Sequence, residues 1–284
     1  MPSHSVRSTP NAVAAARDAI RAALDDGSLE LPVLAGGASE VVASSLDDAA
    51  DAARLAQLIQ QDQSLAAHVM RVVNSPAFRA ATEIVALRQA IARLGLARIR
   101  EIALAASLKG GLFGALEHRA LAERAWTLAT CAGLWAKEIA RTCRRNVEMA
   151  YLCGLFHNVG TPLVLAALAK SAPGTLAERD AAAVVAEVAV RAGGALARSW
   201  KLPDPVVATV EHINVFAAAG GHTDAVAIAD GGVRIAGLML SDRLEADAVT
   251  AMASIQHLNI YPDAVAKLVG ARAGIQATME SMSA

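Results

Sequence analysis

Apolar residues recur along this chain at intervals of three and four, the spacing that lines one face of an α-helix. The first such stretch, 12–24, carries Val13, Ala16, Ile20 and Leu24, with Gly27 where a stop belongs. Leu31-Pro32 breaks the pattern. Short helices are predicted at about 39–45 and 51–61. The second buries Leu55, Leu58 and Ile59 behind Asp47, Asp48 and Asp51, acids that suit a helix N-terminus. A helix over 63–73 places Leu65, Val69 and Val72 on one side and ends at Asn74-Ser75-Pro76. Thr82 is the expected N-cap of a helix over 84–94, and Gly95 its C′ residue. Helix resumes over 96–108 until Gly110-Gly111, which with Gly114 is read as a boundary between two lobes.

A long amphipathic helix is predicted over 117–141, followed by helices at 147–157, 161–169 and 180–200, the last with a kink placed at Gly193-Gly194. Pro205 opens another, completed over 206–215. Gly220-Gly221 marks a loop, and helices over 224–246 and 262–282 close the chain. Strand-like alternation never persists beyond a few residues, and no fixed-period repeat is visible. The pattern predicts an all-α protein of two helical lobes packed as one unit.

Composition sharpens this. Hydrophobic residues are 55% and charged residues 19% of the 284, against about 45–50% and 25% in ordinary domains, which excludes a disordered chain. Aromatics are only 3%, so Ala, Leu, Val and Ile build the core and favour closely packed helices. A mean hydropathy of +0.38 raises the question of a membrane span. The apolar run Val159 to Ala169 is shorter than the roughly 18 residues a span needs. A net charge of −1 provides no field to gather nucleic acid or an anionic membrane. Cys131, Cys143 and Cys153 form no C-x-x-C pair and are read as buried reduced thiols. The N-terminus shows no signal pattern, 1–11 reads as a loose tail, and a cytoplasmic protein is expected.

Short motifs punctuate the chain in a fixed order. Leu31-Pro32 is followed by Asp62-Gln63-Ser64-Leu65-Ala66, Val73-Asn74-Ser75-Pro76-Ala77-Phe78, Leu87-Arg88-Gln89-Ala90-Ile91, Leu94-Gly95 and Arg98-Ile99-Arg100. Then come Trp126, Gly154-Leu155-Phe156-His157-Asn158-Val159-Gly160, Gly194-Ala195-Leu196-Ala197, Trp200-Lys201-Leu202-Pro203 and Ala229-Asp230. In order and spacing they resemble the HDOD family, bacterial signalling domains related to the HD-type metal phosphohydrolases. The resemblance covers 30–245, in lobes of about 30–112 and 113–245. It leaves 1–29 as a tail and helix and 246–284 as a C-terminal helical extension.

An HD phosphohydrolase holds divalent ions with clustered His and Asp, lowering the pKa of bound water. The resemblance places the family's ligand positions at Leu128, His157, Asn158, Val190, Glu211-His212 and Asp230. His157, Asp230 and His212 keep ligand chemistry, whereas Asn158, Leu128 and Val190 do not. The Gly-Tyr-Pro motif of the cyclic-dinucleotide enzymes is absent, since Ile260 precedes Tyr261-Pro262. The expectation is therefore no metal, no cofactor and no catalysis. Leu128 and Val190 are expected to turn inward and fill the cation's space, and Asp230 to partner His157. His68, His118, His222 and His257 are read as structural or surface residues. A nucleophile arrangement converging in space stays open, although no G-x-S-x-G or Walker A sequence occurs. The Gly-Gly pairs beginning at Gly36, Gly110, Gly193, Gly220 and Gly231 lack the strand-before-helix setting of phosphate loops.

From Arg71 to Arg100 lie six arginines (Arg71, Arg79, Arg88, Arg93, Arg98, Arg100) and one acid, Glu83. Two readings stay open: a solvated helix face, or a docking face of Arg88, Arg93, Arg98 and Arg100 for an acidic partner or anion. The acids from Asp18 to Asp51 could instead neutralise it within the fold. The function expected is a non-enzymatic regulatory module that binds other signalling proteins, with a nucleotide second messenger as a further candidate partner. Nucleic acid and membrane are not expected partners. The alternatives are a metal-dependent phosphohydrolase of cyclic or linear nucleotides, and a small-ligand sensor using the relic cavity.

Overall fold

Helix follows helix through the computed structural model, which describes residues 10–34, 39–42, 52–78, 83–113, 117–171 and 176–283. No strand occurs among them. The first part contains α1 (Pro10–Asp25), α2 (Ala52–Gln61), α3 (Gln63–Val73), α4 (Leu87–Leu94) and α5 (Leu96–Leu112). Asp62 caps α3 by accepting from the Ser64 and Leu65 amides. Gly95 ends α4 at φ 82°, a left-handed conformation that a residue without Cβ adopts freely.

Two boundaries differ from expectation. Helix α4 begins at Leu87 because Asn74 claims the backbone before it. The Asn74 amide donates to the Ile84 carbonyl (2.8 Å), and its oxygen accepts from the Ile84 N–H (2.9 Å). A segment held this way cannot join a helical ladder. Gly110 and Gly111 do not divide the chain either, since α5 runs through both. Thr82, Asp47, Asp48, Asp51, Arg79 and Gly114 lie outside the described residues.

Then come α6 (Arg119–Thr142), α7 (Val147–Phe156), α8 (Gly160–Ser171), α9 (Glu178–Ser199), α10 (Asp204–His212) and α11 (Thr223–Leu240). Helix α6 is central, with α7 and α11 packed along it. Both approach at one point: a Cβ on Gly154 or on Gly232 would lie 2.7 Å from the Ala132 carbonyl oxygen. Helices α8 and α9 meet more tightly still, because a Cβ on Gly160 would come within 1.9 Å of the Ala189 carbonyl. Gly193 lies at that crossing inside an unbroken α9, so the pair expected to kink the helix serves close approach instead.

The apolar middle of the chain is longer than Val159 to Ala169. An 18-residue window within Val147–Ser171 averages a hydropathy of 1.6, enough by length and composition to cross a membrane. The chain folds it into α7 and α8 around a turn at 157–159, and 78% of that window is buried inside the protein.

Helix α11 ends at Leu240, short of the expected 246, where Asp242 takes a positive φ of 55°. Four helices follow: α12 (Ala246–Thr250), α13 (Ala253–His257), α14 (Pro262–Val269) and α15 (Arg272–Ser283). The single helix expected over 262–282 is thus two. Helix α15 returns to pack on α5 and α6, and its Ser281 hydroxyl meets that of Ser75 at 2.8 Å. One continuous apolar core runs from Ala16 on α1 to Met282 on α15.

Candidate functional site

The HD positions lie on α6, α9, α10 and α11 and in the turn after α7. His157 lies buried in the turn after α7. Its Nδ1 sits 2.7 Å from the Gly154 carbonyl, and because a carbonyl only accepts, that nitrogen carries the proton. Burial drives the imidazole pKa down to about 4, partly offset by this hydrogen bond, so the ring is neutral at pH 7. Asn158 donates its amide to the Ala125 carbonyl of α6 at 2.8 Å, and its own oxygen is buried without a partner. An aspartate there would turn a carboxylate on that carbonyl with no proton to give.

Asp230 is buried on α11, where both its oxygens accept from Nε of Arg234 one turn further on (2.8 and 2.7 Å). It does not hydrogen-bond His157, contrary to the expected pairing; each finds its partner within four residues. His212 ends α10 half-buried with no side-chain hydrogen bond, and Glu211 beside it pairs with Arg198 at 2.5 Å. Leu128 packs partly buried against the core. Val190 stays half-buried on α9 outside that cluster, so the expectation that both fill one vacated space fails there.

These residues do not suit a catalytic cation. Hard divalent ions keep carboxylate oxygens, but the one carboxylate among the retained positions is already held by a guanidinium, and the dipeptide's second residue is an amide. Among the described residues, no three His, Cys, Asp or Glu side chains converge as ligands. Burial disfavours the thiolate at all three cysteines, pushing Cys131 and Cys153 up to about 12 and raising Cys143 as well.

The four docking arginines do not share one face. Arg88 and Arg93 are exposed on α4. Arg98 lies half-buried over the Phe78 ring and pairs with Glu101 at 3.1 Å. Arg100 is 7% exposed, 3.5 Å from Glu148, with its Nε unpartnered. The docking reading is therefore corrected for Arg98 and Arg100, whose charges are used within the fold.

Sequence reasoning missed the buried charge cluster beside them. Lys137 on α6 reaches Glu101 on α5 at 2.5 Å, with side chains 4% and 7% exposed. Burial lowers the lysine's pKa, and the Glu101 charge opposes that shift. Tyr151 of α7 donates to the Glu101 backbone carbonyl at 3.3 Å. A signal was present: Lys137 is in helical phase with Thr130, Gly133 and Leu134, all buried.

The motifs turn out to be joints between helices. Asn74 pins Ile84, and Trp200 packs edge-on to Phe156 while donating to the Pro32 carbonyl at 2.6 Å. Solved structures with this arrangement include an HDOD domain protein from Geobacter sulfurreducens, 20% identical, with 96% of this chain and 98% of that one covered at a TM-score of 0.72. A candidate metal-dependent phosphohydrolase from Shewanella amazonensis is 18% identical over 96% of this chain and 99% of its own, also at 0.72. A candidate signal transduction protein from Marinobacter aquaeolei is 21% identical over 100% and 69%, at 0.63. An uncharacterized protein of Treponema pallidum is 26% identical over 164 residues, which span 54% of this chain and 31% of that longer relative. The family model for the HDOD domain matches residues 31–216, a stretch that begins at Leu31-Pro32 and takes in both halves of the Trp200 joint. The chain belongs to the HDOD domain family.

Proposed function

We propose that this chain is a non-enzymatic signal-transduction module of the bacterial cytoplasm that works by binding other signalling proteins. One observation carries the reading: two of the three retained HD residues are committed to local partners, His157 to Gly154 and Asp230 to Arg234. A metal would have to break the Asp230 pair and would find an amide at Asn158. Of the four docking arginines, Arg88, exposed on α4, carries the docking reading for an acidic partner. A nucleotide second messenger is the further candidate, scored by thermal shift with cyclic dinucleotides.

The similar Shewanella structure supplies the competing reading, a metal-dependent phosphohydrolase. Elemental analysis of protein produced with manganese and iron, with a phosphodiesterase assay under the same metals, separates the two. The expected result is substoichiometric metal and no hydrolysis. Near-stoichiometric metal, with turnover abolished by His157→Ala, overturns the proposal.

A further inference from the structure

A cleft of about 530 Å³ opens away from the HD positions, between α1, the segment after it, the end of α5 and the outer face of α8. That volume lies within the range of small-molecule sites. Its walls are apolar: Ile20 and Leu29 on one side, Leu112 and Leu163 on the other, with alanines between. The α1 wall is anchored, since Arg21 pairs with Glu187 at 2.9 Å and Trp200 holds the Pro32 carbonyl. Part of this wall precedes residue 31, where the family match begins, so the cleft is not assembled by the matched domain alone.

Two glycines mark it as open space. Gly110 and Gly111 line the cleft within α5, and a Cβ on either would meet nothing within 4 Å. Glycines at the helix crossings are explained by a facing backbone, but these are not. Glycine inside a helix is less stable than alanine, and here the smallness leaves room beside the helix rather than close packing.

The rim decides the ligand. Among the described residues lining the cleft, Lys170 is the one cation and Glu30 the one anion, and they pair with each other. Among the same described residues there is no arginine, histidine or aromatic ring, so none of them neutralises several phosphates or stacks on a base. The Lys170–Glu30 pair is exposed, at 67% and 80%. Such an exposed pair is weak, and Glu30 stays hydrated when released. A ligand carboxylate can therefore replace Glu30 on Lys170 at little cost while its apolar part fills the walls. The serine hydroxyls of Ser28 and Ser171 lie at the same cleft.

We propose that this cleft binds a single-chain acyl carboxylate, its chain between α1 and α8 and its head on Lys170. The proposal does not depend on the signalling reading, and either can fail alone. Octanoate is the probe and octan-1-ol its uncharged counterpart, titrated calorimetrically into the full chain. Octanoate is expected to bind saturably and about threefold tighter than octan-1-ol, the size of preference an exposed ion pair supplies. Lys170→Met should erase that preference while leaving octan-1-ol binding unchanged. Gly111→Leu, which fills the cleft, should abolish binding of both probes without lowering the melting temperature, because leucine is also the better helix former. Ala166→Phe does the same from the α8 wall and serves if the first variant folds poorly. Absence of saturable octanoate binding overturns the proposal. So does a preference that survives Lys170→Met, or binding that survives the cleft-filling changes.

Discussion

Two buried polar clusters in this molecule follow opposite rules. At the HD positions His157 and Asp230 each take a partner three or four residues away on their own helix or turn, Gly154 and Arg234. Around Glu101 one partner is local, Arg98 on its own α5, but the others come from different helices, Lys137 on α6 and the Tyr151 hydroxyl on α7. A local pair survives small movements between helices, because both members travel together. A cross-helix pair does not, and it ties α5 to α6 and α7. The His157 and Asp230 pairs are thus self-contained, while Lys137 carries the tie between helices.

The largest effect that separates the clusters is expected from Glu101→Ala. It strands the Lys137 ammonium in the core, and breaking a buried pair typically costs about 3–5 kcal/mol. Urea unfolding measures it. The double replacement Glu101→Leu with Lys137→Met should recover most of that loss, since removing both charges leaves nothing unpaired. A double variant as unstable as the single one would show that the cluster is not a pairwise tie.

His157 offers the next test, through pH. Its folded pKa of about 4 lies below the unfolded value of 6.5, so the unfolded chain binds the extra proton first. The stabilisation is complete above pH 6.5 and is lost as pH falls toward 4, a difference of about 3 kcal/mol. His157→Gln should flatten the stability profile in that window and leave the profile above it parallel. A variant profile that stays as steep as the original would mean that other groups dominate acid unfolding.

The smallest effect belongs to the surface. Arg88→Glu should shift stability by no more than about 0.5 kcal/mol, whereas Arg100→Glu buries an acid beside Glu101 and Glu148 and should cost several times that. Thermal denaturation of the two side by side checks it. Equal effects would return Arg100 to the docking face.

Much of the fold could be read from the chain. Helical spacing located α1, α3, α6 and α9 nearly to the residue, and Gly95 marked the α4 end because a helix stop needs a residue at ease with positive φ. Reading failed where a distant group intervened. Ile84 is in helical phase, but Asn74 holds its backbone extended. Gly110 and Gly111 look like a hinge, but the helical ladder passes through them. The ligand positions could be placed by resemblance, yet their partners could not: the resemblance suggested His157 with Asp230, and each found a nearer partner.

The sequence by itself determined the helices, their apolar faces and the residues at the HD positions, because these rest on spacing and side-chain type. Only the tertiary structure decided which charges are solvated and which are used inside. Arg88 and Arg100 are the same residue type, twelve positions apart, and one is exposed while the other is 7% exposed. Glu101 and Lys137 are separated by 36 residues, and helical phase reports that each faces inward without naming what it meets. A charge can enter a core only opposite a compensating one, and which helix supplies that partner is fixed by packing.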